Sequence, residues 1–352
     1  MKKRKRFEII ECGGTAFDIG KQYGTACRNS CITSINAMFE EYTVSNKTSK
    51  EEIITTLRKY IPLVESLDPH LLEMLKGQAE GVGVALEEIF LLRCNFELSF
   101  YYQRMKTFCT SFAVTNKATK DGKTIIGQNF DATCGRTMDL VKVTHTDGLK
   151  QLSLIFWGAC ELTLNSAGLG MVLNVVVSPV EEQLLNLPAC CVIPKAMRQK
   201  RIGDALGIFC TAGRSMMYYC LASKEGDIIG IETNPVDYNV IQPDKDVLAH
   251  ANHYNTDRLK KGELVYMGAP SSYIRESQIR RLIEKQYGNI TLERMMEIMS
   301  NHNHYPKGIC NHALEGSTAE TLASVIMVPE DNAMYVTFGH PCEYEYEEYK
   351  LT

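Results

Sequence analysis

Nowhere does this 352-residue chain approach the ~18 uninterrupted apolar residues that span a bilayer. Near its start, Phe7-Glu8-Ile9-Ile10-Glu11 is too short and too acidic for the apolar region of a signal peptide, so a soluble, cytoplasmic protein is expected. An excess of one charge is missing too: the formal net charge is only −4, which gives no general attraction to nucleic acid or anionic lipid. The one basic cluster, Lys2 to Arg6, reads as a solvated terminal tail. Small molecules or other proteins are the partners this leaves, and homo-oligomerisation stays open. The thirteen cysteines are odd in number and, apart from Cys190-Cys191, scattered singly, so no disulfide framework is legible and a reducing compartment fits. Neither Cys-x-x-Cys nor His-Glu-x-x-His occurs. Residues His250, His253, His302, His304, Cys310 and His312 are of metal-binding type, but their spacing argues against a site; no metal and no cofactor are expected.

With 45% apolar residues, and without repeats, low-complexity segments or long linkers, the chain should bury a large core as one compact unit. The first hundred residues read as helices. Ser49-Lys50-Glu51-Glu52 is a capping box before an apolar series at spacings of three and four; Asp68-Pro69 is a second start; a third helix is expected over Phe17 to Phe39. From Phe108 the texture becomes β. Cys109 to Val114 is strand-like, Asp121-Gly122 is a hairpin turn, and Thr124-Ile125-Ile126 leads the return strand. Further strands are expected at Leu140 to Thr144, Leu152 to Trp157, Gly170 to Val177, Asp227 to Glu232 and Val247 to Ala251, with a last hairpin from Leu322 to Phe338. Helices are expected at Ala196 to Cys210, Ser271 to Gln286 and Leu292 to Met299. Unbroken apolar runs of strand length call for sheets covered on both faces.

Cys109 stands at the junction of the helical and β-rich parts, at the head of a hairpin where a substrate can reach a sheet rim. It opens Cys109-Thr110-Ser111-Phe112; Gly127-Gln128-Asn129-Phe130-Asp131 and His250-Ala251-Asn252-His253-Tyr254 follow, then Ser271-Ser272-Tyr273-Ile274-Arg275 and a tail from Gly308-Ile309-Cys310 to Gly339-His340-Pro341-Cys342. In order and spacing this series resembles the acyl-coenzyme A:6-aminopenicillanic acid acyltransferase family of N-terminal-nucleophile hydrolases, over nearly the whole chain.

The resemblance implies an α+β fold, a four-layer αββα sandwich with a helical N-terminal segment, made as an inactive precursor. Residues 1–108 would be the α segment and 109–352 the catalytic β segment, associated after self-cleavage between Phe108 and Cys109. The freed α-amine, with a pKa of ~7.7–8.0, lies close to a thiol at ~8.5, so one residue supplies nucleophile and proton acceptor. By the same resemblance Asn252 supplies an oxyanion donor, Asn165 matches the position of a second, Asp131 holds the amine and thiol, and Arg275 favours the thiolate or holds a substrate carboxylate. Where the bile-salt and penicillin V hydrolase branch has an arginine this chain has Gln128, so that branch's substrate chemistry is not carried over. Hydrolysis of a linear amide of a small N-acyl compound is the first expectation, and acylation of an amine from a thioester the second. Two rivals stand beside them: an uncut papain-like thiol enzyme using Cys109 and His253, and a non-catalytic binding protein.

Overall fold

The computed structural model describes residues 2–101, 108–178, 186–212, 215–261, 270–314 and 319–351. It opens on a strand, β1 (Ile9–Gly14), followed by helices α1 (Ala16–Ala26), α2 (Arg28–Asn46), α3 (Lys50–Arg58), α4 (Ile61–Leu67), α5 (Pro69–Val82), α6 (Leu86–Arg93) and α7 (Asn95–Tyr101). Both helix starts lie where the capping signals put them: Ser49 and Glu52 cap each other, and Pro69 is the first residue of α5. The helix expected over Phe17 to Phe39 is two helices, parted at Cys27 (φ −100°, ψ 18°).

Strands β2 (Phe108–Val114), β3 (Ile125–Thr133), β4 (Met138–His145), β5 (Lys150–Phe156), β6 (Cys160–Asn165) and β7 (Leu169–Val175) follow, then helices α8 (Ala189–Met197) and α9 (Ile202–Thr211). The helix expected from Ala196 to Cys210 begins only at Ile202, because Arg201 is extended (φ −127°, ψ 141°), and α8 ahead of it lies mostly outside that expectation. The chain continues through β8 (Met217–Ser223), β9 (Ile228–Thr233), β10 (Tyr238–Ile241), β11 (Val247–His250), α10 (Asp257–Lys260), α11 (Ser271–Glu284) and α12 (Leu292–Met299) to β12 (Ala319–Val328), β13 (Ala333–Val336) and β14 (Glu347–Lys350).

Among the described residues the strands form two sheets, β1-β4-β5-β6-β7-β8-β9-β10 and β11-β2-β3-β12-β13-β14. Their inner faces meet. Phe130 of β3 stacks on Phe156 of β5 with centroids 3.7 Å apart, a contact worth about 0.5–1.5 kcal/mol beyond its buried area. On the far side of the six-stranded sheet, Phe112, Val114 and Ile125 pack with Ile279, Ile283 and Met295 of α11 and α12. Helices α1, α8 and α9 cover the eight-stranded sheet, completing the expected αββα order; every residue of β6 and β7 is buried, as double covering requires.

Two features of the first hundred residues differ from the all-helical expectation. β1 pairs in parallel with β4, from Ile9 opposite Leu140 to Gly14 opposite His145. Helix α1 also meets α5 backbone to backbone: a Cβ at Gly20 would lie 1.8 Å from the Met74 carbonyl oxygen, and one at Gly77 2.0 Å from that of Phe17. Only glycine permits that approach. Nor is the basic terminus a free tail, since Lys3 pairs with Glu343 at 3.2 Å and Arg4 with Glu345 and Glu347 at 3.1 and 3.0 Å. These pairs are exposed and add little stability each. Among the described residues no helix is long and apolar enough to cross a membrane.

Candidate active site

The register of β2 explains how Cys109 is presented. Strand β11 pairs antiparallel with β2 from Val247 opposite Val114 to His250 opposite Ser111, and there the ladder stops. Two residues further, Asn252 would face Cys109; the chain turns away instead, and a side-chain amide takes the ladder's place. Asn252 Oδ1 accepts from the Cys109 N–H at 2.9 Å, and its Nδ2 donates to the Val175 carbonyl at 2.8 Å, leaving one amide proton.

Arg275 completes the clamp from the first turns of α11. Its Nη1 donates to the Cys109 carbonyl oxygen at 2.5 Å and to Thr110 Oγ1 at 2.8 Å, and its Nη2 to Asn252 Oδ1 at 2.7 Å. A guanidinium suits this work because it presents several donors in a fixed plane. At 2% exposure Arg275 is no surface ion-pair residue. One fork therefore ties together Cys109, its neighbour and the asparagine.

Cys109 itself is fully buried, and burial followed by the charge of Asp131 pushes its thiol well up. The Asp131 N–H, the Gln128 side chain and Arg275 oppose that push. Gln128 accepts from the Leu173 N–H at 2.9 Å, while its Nε2 is buried without a hydrogen-bond partner. Its position, notable in the sequence only for a missing arginine, thus puts an unpartnered donor among the groups that draw the Cys109 thiol down.

Asp131 lies on β3 opposite Phe108. Its Oδ1 accepts from Thr321 Oγ1 at 2.6 Å; its Oδ2 is buried without a partner. Both Phe108 and Asp131 line a cavity of about 330 Å³, with Ser271, Arg275, Lys307 and Asn311 also on its wall. Asn311 Oδ1 is a second buried acceptor without a partner. Burial pushes the Asp131 carboxyl from 3.8 up to about 7, against the pull of Arg275, Thr321 and Lys307. Between those values the folded chain keeps a proton that the unfolded chain has lost, so this group's contribution to stability falls as pH rises from about 4 to about 7 and is level beyond. In an uncut Cys109→Ala background, adding Asp131→Asn should remove that decline. The double variant's unfolding midpoint should gain on the single variant's between about pH 5 and pH 8; parallel curves would show an Asp131 ionised throughout.

His253 is held away from the thiol's chemistry. The Ser272 hydroxyl accepts from the Asn252 N–H at 2.6 Å, so its single proton goes to His253 Nδ1 at 2.7 Å. The Nε2 proton then faces Glu276 at 3.4 Å, and burial, the largest cause, pulls the imidazole down to about 4. A neutral ring with both nitrogens occupied is no base for Cys109, and the papain-like rival loses its second member. His250, sequence neighbour of the site, bonds to buried Glu232 at 2.9 Å and stacks on Tyr218, fixing the base of the loop that carries Asn252.

The structure brings Phe108, Cys109, Asp131, Asn252 and Arg275 together, with His253 behind them; it does not bring Asn165. That residue ends β6, across the turn from Leu169, while the Val175 that touches Asn252 lies at the other end of β7, ~20 Å of strand away. Its Nδ2 is committed to the carbonyls of Met197 and Gln199, and its Oδ1 to the N–H groups of Ala167 and Leu169. Asn165 is a turn-holding residue. Its expected place as an oxyanion donor is therefore corrected.

A sequence profile of the family described as acyl-coenzyme A:6-aminopenicillanic acid acyl-transferase matches residues 117–343, beginning just beyond Cys109. Among solved structures, a mutant of conjugated bile acid hydrolase from Clostridium perfringens is similar at 13% identity, over 69% of this chain and 97% of that one, with a TM-score of 0.42. Penicillin V acylase from Agrobacterium tumefaciens is similar at 8% identity, over 65% of this chain and 83% of that one, with a TM-score of 0.45. Overlays this loose transfer no residue's role.

Proposed function

Since the chain belongs to the acyl-coenzyme A:6-aminopenicillanic acid acyltransferase family, we propose that it is a self-cleaving N-terminal-nucleophile enzyme that moves acyl groups through the thiol of Cys109. The observation that supports this most is the double clamp on the backbone of Cys109, its N–H on Asn252 and its carbonyl on Arg275, next to a cavity reached by Phe108. A merely structural strand residue would be held by its neighbours in the ladder. Here side chains capable of chemistry hold it.

In the first stage, Sγ of Cys109 attacks the carbonyl carbon of Phe108, the C–N bond breaks, and the nitrogen leaves with the thiol's proton as a free amine. The resulting thioester is hydrolysed by water, which leaves a Phe108 carboxylate and restores the thiol. Asn252 Oδ1 already accepts from the nitrogen that becomes the amine. Asp131 Oδ2, buried and unpartnered, offers that amine a carboxylate once it is charged.

In the second stage the amine takes the thiol's proton, the thiolate attacks the carbonyl of an N-acyl substrate, and the substrate nitrogen departs protonated. Water then releases the acid from acyl-Cys109; an amine in its place would make a new amide. The remaining amide proton of Asn252 is the donor assigned here to the oxyanion. Linear amide hydrolysis is favoured, because water is always at hand while transfer needs a dedicated site for an amine acceptor; Arg275 and Lys307 on the cavity wall suit an acid group of the substrate.

The test is intact-mass analysis of the purified enzyme during turnover of N-acyl amino acids and acyl thioesters. Fragments separating at Phe108/Cys109 and an acyl adduct on the Cys109 peptide are expected. Turnover by a chain that stays whole throughout overturns the proposal, and ligand binding that survives alkylation of Cys109, without any adduct, favours a binding protein.

A further inference from the structure

The fold regroups the histidines and cysteines whose spacing gave no metal motif. His250 and His253 go to Glu232 and Glu276, and His304 to the cavity wall. The other three, His302, Cys310 and His312, converge on Cys342, which arrives from the loop between β13 and β14. His302 Nε2 and His312 Nε2 lie 3.0 Å apart, each sulfur lies 3.5 Å from His312 Nε2, and the two sulfurs lie 3.7 Å apart. All four donor atoms fall within 4.8 Å of one another.

Hydrogen bonding alone does not account for this arrangement. One imidazole nitrogen carries either a lone pair or a proton and can serve one neighbour, yet His312 Nε2 has three. Nor do the sulfurs form a disulfide, whose bond length is ~2.05 Å. A cation at the centre satisfies all four atoms at once. With zinc–sulfur bonds of ~2.3 Å and zinc–nitrogen bonds of ~2.0–2.1 Å, a tetrahedron has edges of ~3.8 Å between sulfurs, ~3.6 Å from sulfur to nitrogen and ~3.3 Å between nitrogens. The distances in the protein follow the same order.

We propose that His302, Cys310, His312 and Cys342 form a structural zinc site. Two thiolates and two neutral imidazoles bring the charge of Zn²⁺ to zero, and each thiol gives its proton to solvent, so two protons are released per ion bound. Two sulfur and two nitrogen ligands favour zinc over magnesium or calcium. Four protein ligands leave no open position, which makes the site a staple rather than a second catalytic centre. The ring of His340 stacks on His312 at 4.0 Å and 10°, fixing the plane of that ligand.

The staple bears on the cavity through one residue. Asn311, next to Cys310, donates its N–H to Thr321 Oγ1 and accepts from the Thr321 N–H, and Thr321 Oγ1 donates to Asp131. Zinc would therefore hold the 302–312 loop against the carboxylate whose position matters most.

The full-length protein, purified under reducing conditions without chelator, should carry one zinc per chain by elemental analysis. Cys342→Ser and His312→Ala should carry little or none, and Cys134→Ser, which alters an exposed thiol, should keep the ion. Zinc-stripped wild type titrated with Co²⁺ should develop a thiolate-to-cobalt absorption saturating at one equivalent, a readout that needs neither a variant nor activity. Wild type with neither bound zinc nor that absorption overturns the proposal, as does a Cys310–Cys342 disulfide in the purified chain.

Discussion

Replacing Cys109 by alanine should leave a single polypeptide of 352 residues where the wild type gives fragments of 108 and 352 − 108 = 244. Acyl transfer should fall by on the order of 10⁴–10⁶-fold, the scale seen when a covalent catalyst loses its nucleophile. Both losses have one cause, because the same sulfur attacks first the chain's own carbonyl and then the substrate's. Folding should survive, since alanine removes only one atom's contacts from a well-packed core, a modest loss even with the Asp131 N–H left without the sulfur. Circular dichroism and mass together check this outcome. Cleavage at normal rate in the alanine variant would assign the break to another nucleophile or to a contaminating protease. Cys109→Ser is a weaker test, because a hydroxyl performs the same shift slowly.

The second large effect falls on Asn252. Asn252→Ala should lower kcat by about 10²–10³-fold, the usual worth of one oxyanion donor. Alanine also deletes the acceptor shared by the Cys109 N–H and Arg275 Nη2, so part of the loss is one of position. Asn252→Asp separates the two contributions. It keeps an acceptor for the Cys109 N–H and Arg275 Nη2 but lacks the amide protons, so it should lose the oxyanion's share together with the bond to the Val175 carbonyl. If the aspartate variant works as well as wild type, the oxyanion is stabilised elsewhere, and the buried, unpartnered Nε2 of Gln128 is the next donor to remove.

Local chemistry was legible in the sequence wherever it acts over a few residues. The Ser49 box, Pro69 and helix α12 from Leu292 to Met299 all stand where short-range signals put them, while Asp121-Gly122 is a bend inside a longer connection between β2 and β3. What escaped was set by distant partners. β1 carries too little apolar alternation to read as a strand and exists because β4, some 130 residues away, supplies its ladder. Asn165 and Asn252 look alike as amides in turns; only the folded neighbours separate one that satisfies four backbone groups from one that faces a sulfur-bearing residue. Position at the junction of the helical and β-rich parts points to Cys109, whereas Asp131, Asn252 and Arg275 stand out only through the family resemblance. Cys342 could not be joined to His302, Cys310 and His312, because a ligand separated by some thirty residues leaves no local pattern.

The parallel pairing of β1 with β4 has a consequence for any nicked form of the molecule. Six residues from ahead of the proposed cut are woven into the larger sheet, and behind them Tyr23 of α1 donates to Asp139 and Gln78 of α5 to the Gly158 carbonyl, both beyond the cut. A break before Cys109 would thus sever a covalent tether without loosening the clasp. The two pieces should co-elute until denaturant peels the first strand from its neighbour.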